Sequence, residues 1–316
     1  MDSELAVTTK ALTKRFGSQV AVDGVDLAIP SGAVCGFVGP NGAGKTTTIR
    51  MLLGLIRPTS GTGTVLGRPL TDPALYLDRV GALIESPAFY PNLSGRANLV
   101  TLARLGRIET GRVDTVLARV GLAGRAADLY RSYSLGMKQR LGIAASLLAE
   151  PTLLILDEPA NGLDPAGIVE IRHLMRSLAD DGITVVVSSH LLAEIEQVCD
   201  FFVMIQAGRL VFQGTVETLF AAQSAELLAR PEHDSDLDAL TAAVRAAGHP
   251  ARVVEGTVVV DAEPGWAAEL NRVATSAGVT LVHLSERPRS LETAFFELTG
   301  EASGDAMSPV GHGSGR

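Results

Sequence analysis

The spacing of apolar side chains divides this chain into strand-like and helix-like stretches. Residues 5–30 alternate apolar and polar positions, which predicts two or three antiparallel strands. Short strands are predicted at residues 64–66 and 80–84, and a hairpin at residues 200–214. Unbroken apolar runs are typical of parallel strands that are buried on both faces. Three such runs occur, at residues 33–38, 153–156 and 183–187.

Helical periodicity appears between these strands. Residues 94–105 and 114–120 are predicted to be helices, with Ser94 as the N-cap of the first. A third helix is predicted to begin at Ser134. We therefore expect a small helical subdomain at about residues 86–150.

The pattern changes near residue 222, which ends a first domain at residues 1–221. Residues 222–300 mix helical and strand-like stretches, and are predicted to form a small α+β domain. The predicted elements are helices at 236–247, 265–277 and 290–299, a hairpin at 252–260 and a strand at 279–284. This domain has no paired acids, metal-ligand spacing or glycine loop, so its expected role is regulatory or a dimer contact. Residues 301–316 are rich in glycine and serine and are predicted to be disordered.

Composition indicates a globular protein. The chain has 316 residues, 46% of them apolar, and its net charge of −8 disfavours a nucleic-acid partner. Cys35 and Cys199 lie in apolar stretches, which indicates reduced thiols in a cytosolic protein rather than a disulfide or metal site. The acidic N-terminus lacks signal-peptide features, and no apolar run approaches the ~18 residues of a membrane span. A role at a membrane is therefore expected to need a partner.

One segment carries the strongest chemical signal. The strand at residues 33–38 is followed by a glycine-rich loop and a helix, the arrangement that binds phosphate groups. The loop residues are Gly39, Pro40, Asn41, Gly42, Ala43, Gly44, Lys45, Thr46 and Thr47. Glycines let several backbone N–H groups face one anion, and the helix start adds partial positive charge. We predict a nucleotide site in which Lys45 contacts the β- and γ-phosphates and Thr46 ligates Mg²⁺.

Two acids end the apolar run at residues 153–156. Carboxylates at the carboxyl end of a buried parallel strand face the crevice where α/β sheets bind ligands. Asp157 is therefore expected to hold Mg²⁺ through water, and Glu158 to orient or deprotonate an attacking water. The alternative is a solvated strand end.

Three further residues have a structural interpretation beside the functional one. Ser134 is either an ordinary helix cap or a ligand contact. His190 follows an apolar strand and is either structural or a hydrogen-bond partner of a γ-phosphate. Phe16 lies at a turn between strands, where it either packs on the core or stacks on an adenine ring. The glycine loop that follows it favours stacking.

Five sequence features occur in one order within residues 3–220: the phosphate loop, Ser-Leu-Gly-Met, Asp-Glu-Pro, Gly-Leu-Asp and a histidine. Together they resemble the ATP-binding subunit of ABC transporters. The resemblance implies an α/β fold, a P-loop NTPase ABC cassette in which a mixed-sheet core carries antiparallel β and helical subdomains. It makes Glu158 the catalytic glutamate and His190 the switch histidine. The further nucleotide contacts that it implies are Phe16 in the A-loop, Glu85 in the Q-loop, Asp164 in the D-loop, and Ser134 and Gly136 in the signature.

This chain departs from the family pattern twice. The signature of this chain is Tyr133-Ser134-Leu135-Gly136-Met137, where the family has Leu-Ser-Gly-Gly-Gln. Glu85 replaces the usual glutamine; it can still offer an oxygen to Mg²⁺ or water, but it adds negative charge beside a triphosphate. Both departures, and the closing run Ser290–Phe296, resemble the bacitracin- and daunorubicin-type antibiotic exporters.

The resemblance also implies partners and a location. ATP hydrolysis is expected to drive export of a drug, antibiotic or peptide through separate membrane permease subunits, with this chain on the cytoplasmic face. A second ATP-binding subunit, expected to be identical, would close head to tail on two ATP molecules. Each site would combine the catalytic residues Lys45, Glu158 and His190 with Ser134 and Gly136 of the other chain.

Two other function classes compete with this one. The first is a soluble ABC-type ATPase acting on ribosomes or nucleic acid, which the single cassette and negative charge disfavour. The second is a nucleotide-gated module without turnover, which the intact Asp157, Glu158 and His190 disfavour. Import rather than export stays open, because the cassette carries no direction.

Overall fold

The computed structural model describes residues 5–85, 88–221, 225–263, 265–286 and 291–299. This part of the chain forms two compact units. The first extends to Val216 and includes the segment that starts at Phe295, and the second covers Glu217–Ala294. Ser290 and the tail at residues 301–316 lie outside the described residues. The predicted domain limits and the predicted disorder of the tail stay predictions.

Strands and helices are interspersed along the chain up to residue 215. The strands are β1 (Leu5–Phe16), β2 (Gln19–Val25), β3 (Ala28–Pro30), β4 (Val34–Val38), β5 (Ser60–Val65), β6 (Arg68–Pro69), β7 (Val80–Leu83), β8 (Leu153–Asp157), β9 (Thr184–Ser189), β10 (Phe201–Gln206) and β11 (Arg209–Thr215). The helices are α1 (Lys45–Leu52), α2 (Gly95–Leu105), α3 (Arg112–Arg119), α4 (Leu135–Leu147), α5 (Pro165–Asp180) and α6 (Leu192–Glu196).

A mixed sheet forms the centre of the first unit. Within the described residues its strand order is β11-β10-β4-β9-β8-β7, and all neighbours are parallel except β10 and β11. Strands β4, β8 and β9 are buried throughout, which confirms the prediction from their unbroken apolar runs. Val38 pairs with Ser189, and Asp157 with Ser188. The carboxyl ends of these strands therefore meet at one edge, where the functional residues were predicted.

A second, antiparallel sheet contains the alternating segment at the start of the chain. In the described part of the chain its order is β2-β1-β5-β6, with β3 also paired to β1. The predicted antiparallel strands in residues 5–30 are confirmed. Val7 and Leu12 of β1 are fully buried in a core shared with Phe37 and Ile49. This packing fixes the end of β1, and with it Phe16, close to the glycine loop.

The helical stretch between β7 and β8 follows the sequence expectation. Helices α2, α3 and α4 contact one another. Ser94 caps α2, because its side-chain oxygen accepts a hydrogen bond from the Ala97 N–H at 3.1 Å. Ser134 caps α4 in the same way, through the Met137 N–H at 3.3 Å. Both predicted helix starts are confirmed.

The second unit contains a small sheet, and the helices at residues 237–246 and 267–276 share one core with it. From Val216 onward the elements are α7 (Val216–Ala221), β12 (Ala225–Pro231), α8 (Leu237–Ala246), β13 (Ala251–Val254), β14 (Thr257–Ala262), α9 (Ala267–Ser276), β15 (Leu281–Glu286) and α10 (Leu291–Thr299). Within the described residues the order is β13-β14-β12-β15, all antiparallel. The β-α-β-β-α-β sequence from β12 to β15 is the ferredoxin-like arrangement. The predicted hairpin is confirmed, while the expected regulatory or dimer role stays a prediction.

Candidate functional site: the P-loop cleft

The glycine loop between β4 and α1 is shaped by close backbone contacts. Gly39 has a φ of 154°, and a Cβ there would lie 2.1 Å from the backbone oxygen of Ile205. At Gly44, with a φ of 106°, a Cβ would lie 2.6 Å from the backbone oxygen of Ala21. Neither position can hold a side chain without moving a neighbouring strand. The loop is therefore held in its phosphate-binding shape by the central and antiparallel sheets together.

Lys45 is the first residue of α1 and is almost fully buried, with 6% of its surface exposed. Its Nζ donates to the Gly39 carbonyl at 2.6 Å and to the Pro40 carbonyl at 3.3 Å. The same Nζ lies 3.6 Å from Oε1 of Glu158. These contacts place the ammonium group across the mouth of the loop, where phosphate oxygens are expected.

Asp157 ends β8 and is fixed from two sides. Thr46 Oγ1 donates to Oδ2 of Asp157 at 2.9 Å, and Ser188 Oγ donates to its Oδ1 at 2.5 Å. A hydroxyl and a carboxylate within hydrogen-bond distance are oxygen donors of the kind that Mg²⁺ prefers. No group of three or more His, Cys, Asp or Glu that could hold a metal occurs among the described residues. The donor set thus fits an ion that keeps water and phosphate oxygens as its other ligands.

Glu158 follows Asp157 and is held in an unusual backbone conformation. Its φ is 51°, in the left-handed region. Its N–H donates to Ser188 Oγ at 3.0 Å, so that Ser188 bridges both acids. Its Oε2 lies 2.8 Å from Nδ1 of His190. The carboxylate is therefore placed between His190 and Lys45, in reach of the loop. The predicted contact of His190 with a γ-phosphate stays a prediction, and the contact with Glu158 is an addition to it.

We call the space above the loop the P-loop cleft; its volume is about 770 Å³. Its described lining residues are Phe16, Gln19, Val20, Ala21, Asn41, Gly42, Ala43, Gly44, Lys45, Thr46, Thr47, Glu158, Asn161, His190, Ala207 and Gly208. The Phe16 side chain is 51% exposed, and Lys14 Nζ lies 5.0 Å from its ring centre. A half-exposed ring on the wall of the cleft contributes little to the core, and its stacking on an adenine ring stays a prediction.

Seven predicted site residues are not among the described residues that line the cleft. Gly39 and Pro40 contact Lys45, and Asp157 contacts Thr46, so these three lie directly behind the lining. The other four are Glu85, Ser134, Gly136 and Asp164. Ser134 and Gly136 lie at the start of α4. Asp164 caps α5, with its Oδ1 accepting from the Gly167 N–H at 2.9 Å. Glu85 forms an ion pair with Arg50. Their roles as nucleotide or metal contacts stay predictions.

The structure adds cleft and support residues that the sequence pattern did not single out. Asn161 lies in the turn after Glu158, and its N–H donates to the Glu158 carbonyl at 3.1 Å. Ser188 was visible only as a polar residue at the end of a strand. Three further lining residues lie at turns whose position depends on sheet packing: Gln19, Ala207 and Gly208. The sequence carries no chemical signal that these residues reach the cleft.

The two cysteines are structural. Cys35 and Cys199 are buried free thiols, as predicted. Burial raises the pKa of both thiols well above the ordinary value, because the thiolate would have to lose its hydration. Burial therefore favours the neutral thiol, and neither cysteine is among the described residues that line the P-loop cleft.

A buried lysine in a glycine loop at a helix start, a Thr–Asp pair and a positioned glutamate define a P-loop nucleoside triphosphatase. Residues 22–161 match the ABC transporter family. The bacitracin transport ATP-binding protein BcrA of Bacillus licheniformis is 40% identical over 93% of this chain and 97% of its own. The daunorubicin resistance ATP-binding protein DrrA3 of Streptomyces coeruleorubidus is 40% identical over 69% of this chain and 71% of its own. A solved ATP-binding subunit of an ABC transporter superposes with a TM-score of 0.61 at 30% identity, over 69% of this chain and 92% of that one.

This chain belongs to the family of ABC transporter ATP-binding subunits. It binds and hydrolyses ATP. The predicted cassette fold and the resemblance to antibiotic-exporter subunits are confirmed. No helix in the described residues is long and apolar enough to cross a membrane.

Proposed function

We propose that this chain powers the export of an antibiotic, drug or peptide, through separate permease subunits, from the cytoplasmic face of the cell membrane. The observation that carries the proposal is that the predicted site residues fall into two groups, which we call half-sites. Lys45 and Glu158 line the P-loop cleft and Asp157 contacts Thr46 of its lining, while Ser134 and Gly136 lie at the start of α4. The relatives named for bacitracin transport and daunorubicin resistance indicate the class of cargo.

The half-site at the start of α4 leaves room for another molecule. A Cβ at Gly136 would meet only Leu163 Cδ2, at 3.9 Å, which is an ordinary contact. Glycine is also a poor helix former, so α4 itself gains nothing from it. We infer that this glycine serves close approach by a second ATP-binding subunit, whose bound nucleotide it would face together with Ser134.

Within one half-site, the roles follow from the contacts. Loop N–H groups and Lys45 bind the phosphates, and Glu158 orients and deprotonates the attacking water. His190 holds Glu158 through the 2.8 Å contact of its Nδ1 with Oε2. Thr46 and Asp157 would hold Mg²⁺, which neutralises charge that develops on the phosphates. Closure of two chains is proposed to move the loop after β7, and with it the helical segment that faces the permease.

The Gly136→Val variant tests the two-subunit site. We combine it with Glu158→Gln, which slows hydrolysis, and measure mass by light scattering with ATP. Glu158→Gln alone should double in mass, whereas the double variant should stay at the mass of one chain. The matched control is Gly124→Val, because a Cβ at Gly124 meets nothing within 4 Å. A double variant that still dimerises with ATP would contradict this arrangement.

The export role is tested by purification of the tagged chain from its own host in mild detergent. We expect a multi-spanning membrane protein in constant ratio to the chain, and no nucleic acid. Identification of that permease then indicates the cargo. Recovery with ribosomes or nucleic acid in the soluble fraction would overturn the proposal in favour of a soluble ABC-type ATPase.

A further inference from the structure

Glu85 lies where negative charge is already concentrated. It is two residues beyond the end of β7, at the carboxyl edge of the central sheet. Leu83 pairs with Leu156 of β8, the residue before Asp157. Glu85, Asp157 and Glu158 therefore place carboxylates on one sheet edge beside the P-loop cleft. Without compensation, the charge of Glu85 would oppose the binding of a triphosphate.

That compensation is present on α1. Nη2 of Arg50 forms an ion pair with Oε1 of Glu85. Arg50 follows Thr46 by four residues, so both side chains lie on one face of the helix. Thr46 in turn donates to Asp157 at 2.9 Å. Thr46 and Arg50, one helical turn apart on this face of α1, thus contact Asp157 and Glu85, two of the three acids.

Glu85 is also held in a conformation that needs support. Its φ of 62° lies in the left-handed region, which a non-glycine residue rarely adopts unless its surroundings impose it. Its side chain is 68% exposed and is not among the described residues that line the P-loop cleft. The contact with Arg50 is therefore the feature that fixes where this carboxylate lies.

We propose that Arg50 is a positioning residue for Glu85. It neutralises the carboxylate and holds it outside the P-loop cleft, and this contact lets the chain carry an acid at this position and still bind ATP. The inference goes beyond the proposed function, because it concerns nucleotide binding by one chain and requires neither permease nor export.

The pair is also weak enough to open. Arg50 is 41% exposed and Glu85 68% exposed, and ion pairs this exposed shift an equilibrium by at most about fivefold. Opening of the pair separates the Glu85 side chain from Arg50 of α1. A modest binding energy can therefore break this contact.

A double-mutant cycle tests the proposal. ATP affinity is measured without divalent cations, at low ionic strength, for the unchanged chain, Arg50→Ala, Glu85→Gln and the double variant. Arg50→Ala should weaken binding by about two- to fivefold, because the freed carboxylate repels the triphosphate. The double variant should bind as well as Glu85→Gln alone. Arg50→Lys should stay close to the unchanged chain, and the loss in Arg50→Ala should shrink as salt rises to about 0.3 M.

The matched control breaks another exposed ion pair of the first unit. Arg96 Nε lies 2.7 Å from Oδ1 of Asp114, between α2 and α3. Arg96→Ala should leave ATP affinity unchanged. If Arg50→Ala binds ATP normally, the proposal is wrong. A double variant as weak as Arg50→Ala would also overturn it, since Arg50 would then act on the nucleotide or on α1 rather than through Glu85.

Discussion

The P-loop cleft and the start of α4 differ in how far one chain completes them. In the cleft, the Lys45, Asp157 and Glu158 side chains are already held by hydrogen bonds and ion contacts from three strand ends and a helix. At the start of α4, Ser134 only caps its own helix, and the space beside Gly136 is open. Sheet register within one chain thus assembles the cleft, whereas the start of α4 would gain its proposed function only from a second chain.

We expect the largest effect from a variant that removes the proposed base from the P-loop cleft. Glu158→Gln should lower the turnover number by more than about 100-fold, because general-base catalysis contributes that much. ATP should still bind, since the loop and Lys45 are unchanged. Steady-state hydrolysis and nucleotide titration together measure this split. Glu170→Gln, an acid of α5 that is paired with Arg140 at 3.5 Å, is the control. Near-normal turnover in Glu158→Gln would show that Glu158 is not the base.

Lys45→Ala should weaken ATP binding itself. Hydrogen bonds to charged groups contribute about 1.5–3 kcal/mol, so the affinity should fall by roughly 10- to 100-fold. Isothermal titration measures it. The control is Lys138→Ala, whose ammonium lies 5.4 Å from the centre of the Tyr130 ring. Unchanged ATP affinity in Lys45→Ala would contradict the assignment of this loop as the phosphate-binding loop.

Ser134→Ala tests the incomplete half. Loss of a helix cap costs about 1 kcal/mol of stability, so a matched cap is needed as control. Ser94→Ala removes the cap of α2, which accepts from Ala97 N–H at 3.1 Å, and should cost similar stability. We expect Ser134→Ala alone to lower turnover, by roughly 10-fold as for one lost phosphate contact. ATP binding by the dilute, single chain should be equal in both variants. Equal turnover in the Ser134→Ala and Ser94→Ala variants would mean that Ser134 acts only as a helix cap.

Phe16→Ala should have the smallest effect. Aromatic stacking contributes about 0.5–1.5 kcal/mol, so ATP affinity should fall by roughly two- to tenfold. Phe16→Tyr should retain the affinity. The melting temperature should change little, because the ring is 51% exposed. A lower melting temperature with unchanged affinity would favour the alternative that Phe16 packs on the core.

The sequence predicted the local parts of this site well. Apolar runs located β4, β8 and β9, and strand ends located the glycine loop, Asp157 and Glu158. The caps at Ser94 and Ser134 also followed from residue type alone. These features depend on neighbours along the chain, and local chemistry specifies them.

The contacts between distant segments were not predictable in the same way. The ion pair of Arg50 with Glu85 and the contact of Glu158 with His190 join residues 35 and 32 positions apart. Both depend on strand order and register, which periodicity does not reveal. Ser188 was overlooked for the same reason, since its two hydrogen bonds arise only when β8 lies beside β9.

The backbone of Glu158 has a consequence for protein engineering. An L-residue with a φ of 51° is less stable than glycine in that conformation by roughly 1–2 kcal/mol. A screen that rewards heat resistance alone would therefore favour glycine at this position, and would remove the carboxylate that we propose as the base. Heat tolerance and turnover make opposite demands at this residue, so any programme that stabilises this protein should keep Glu158 fixed and look for its gains elsewhere.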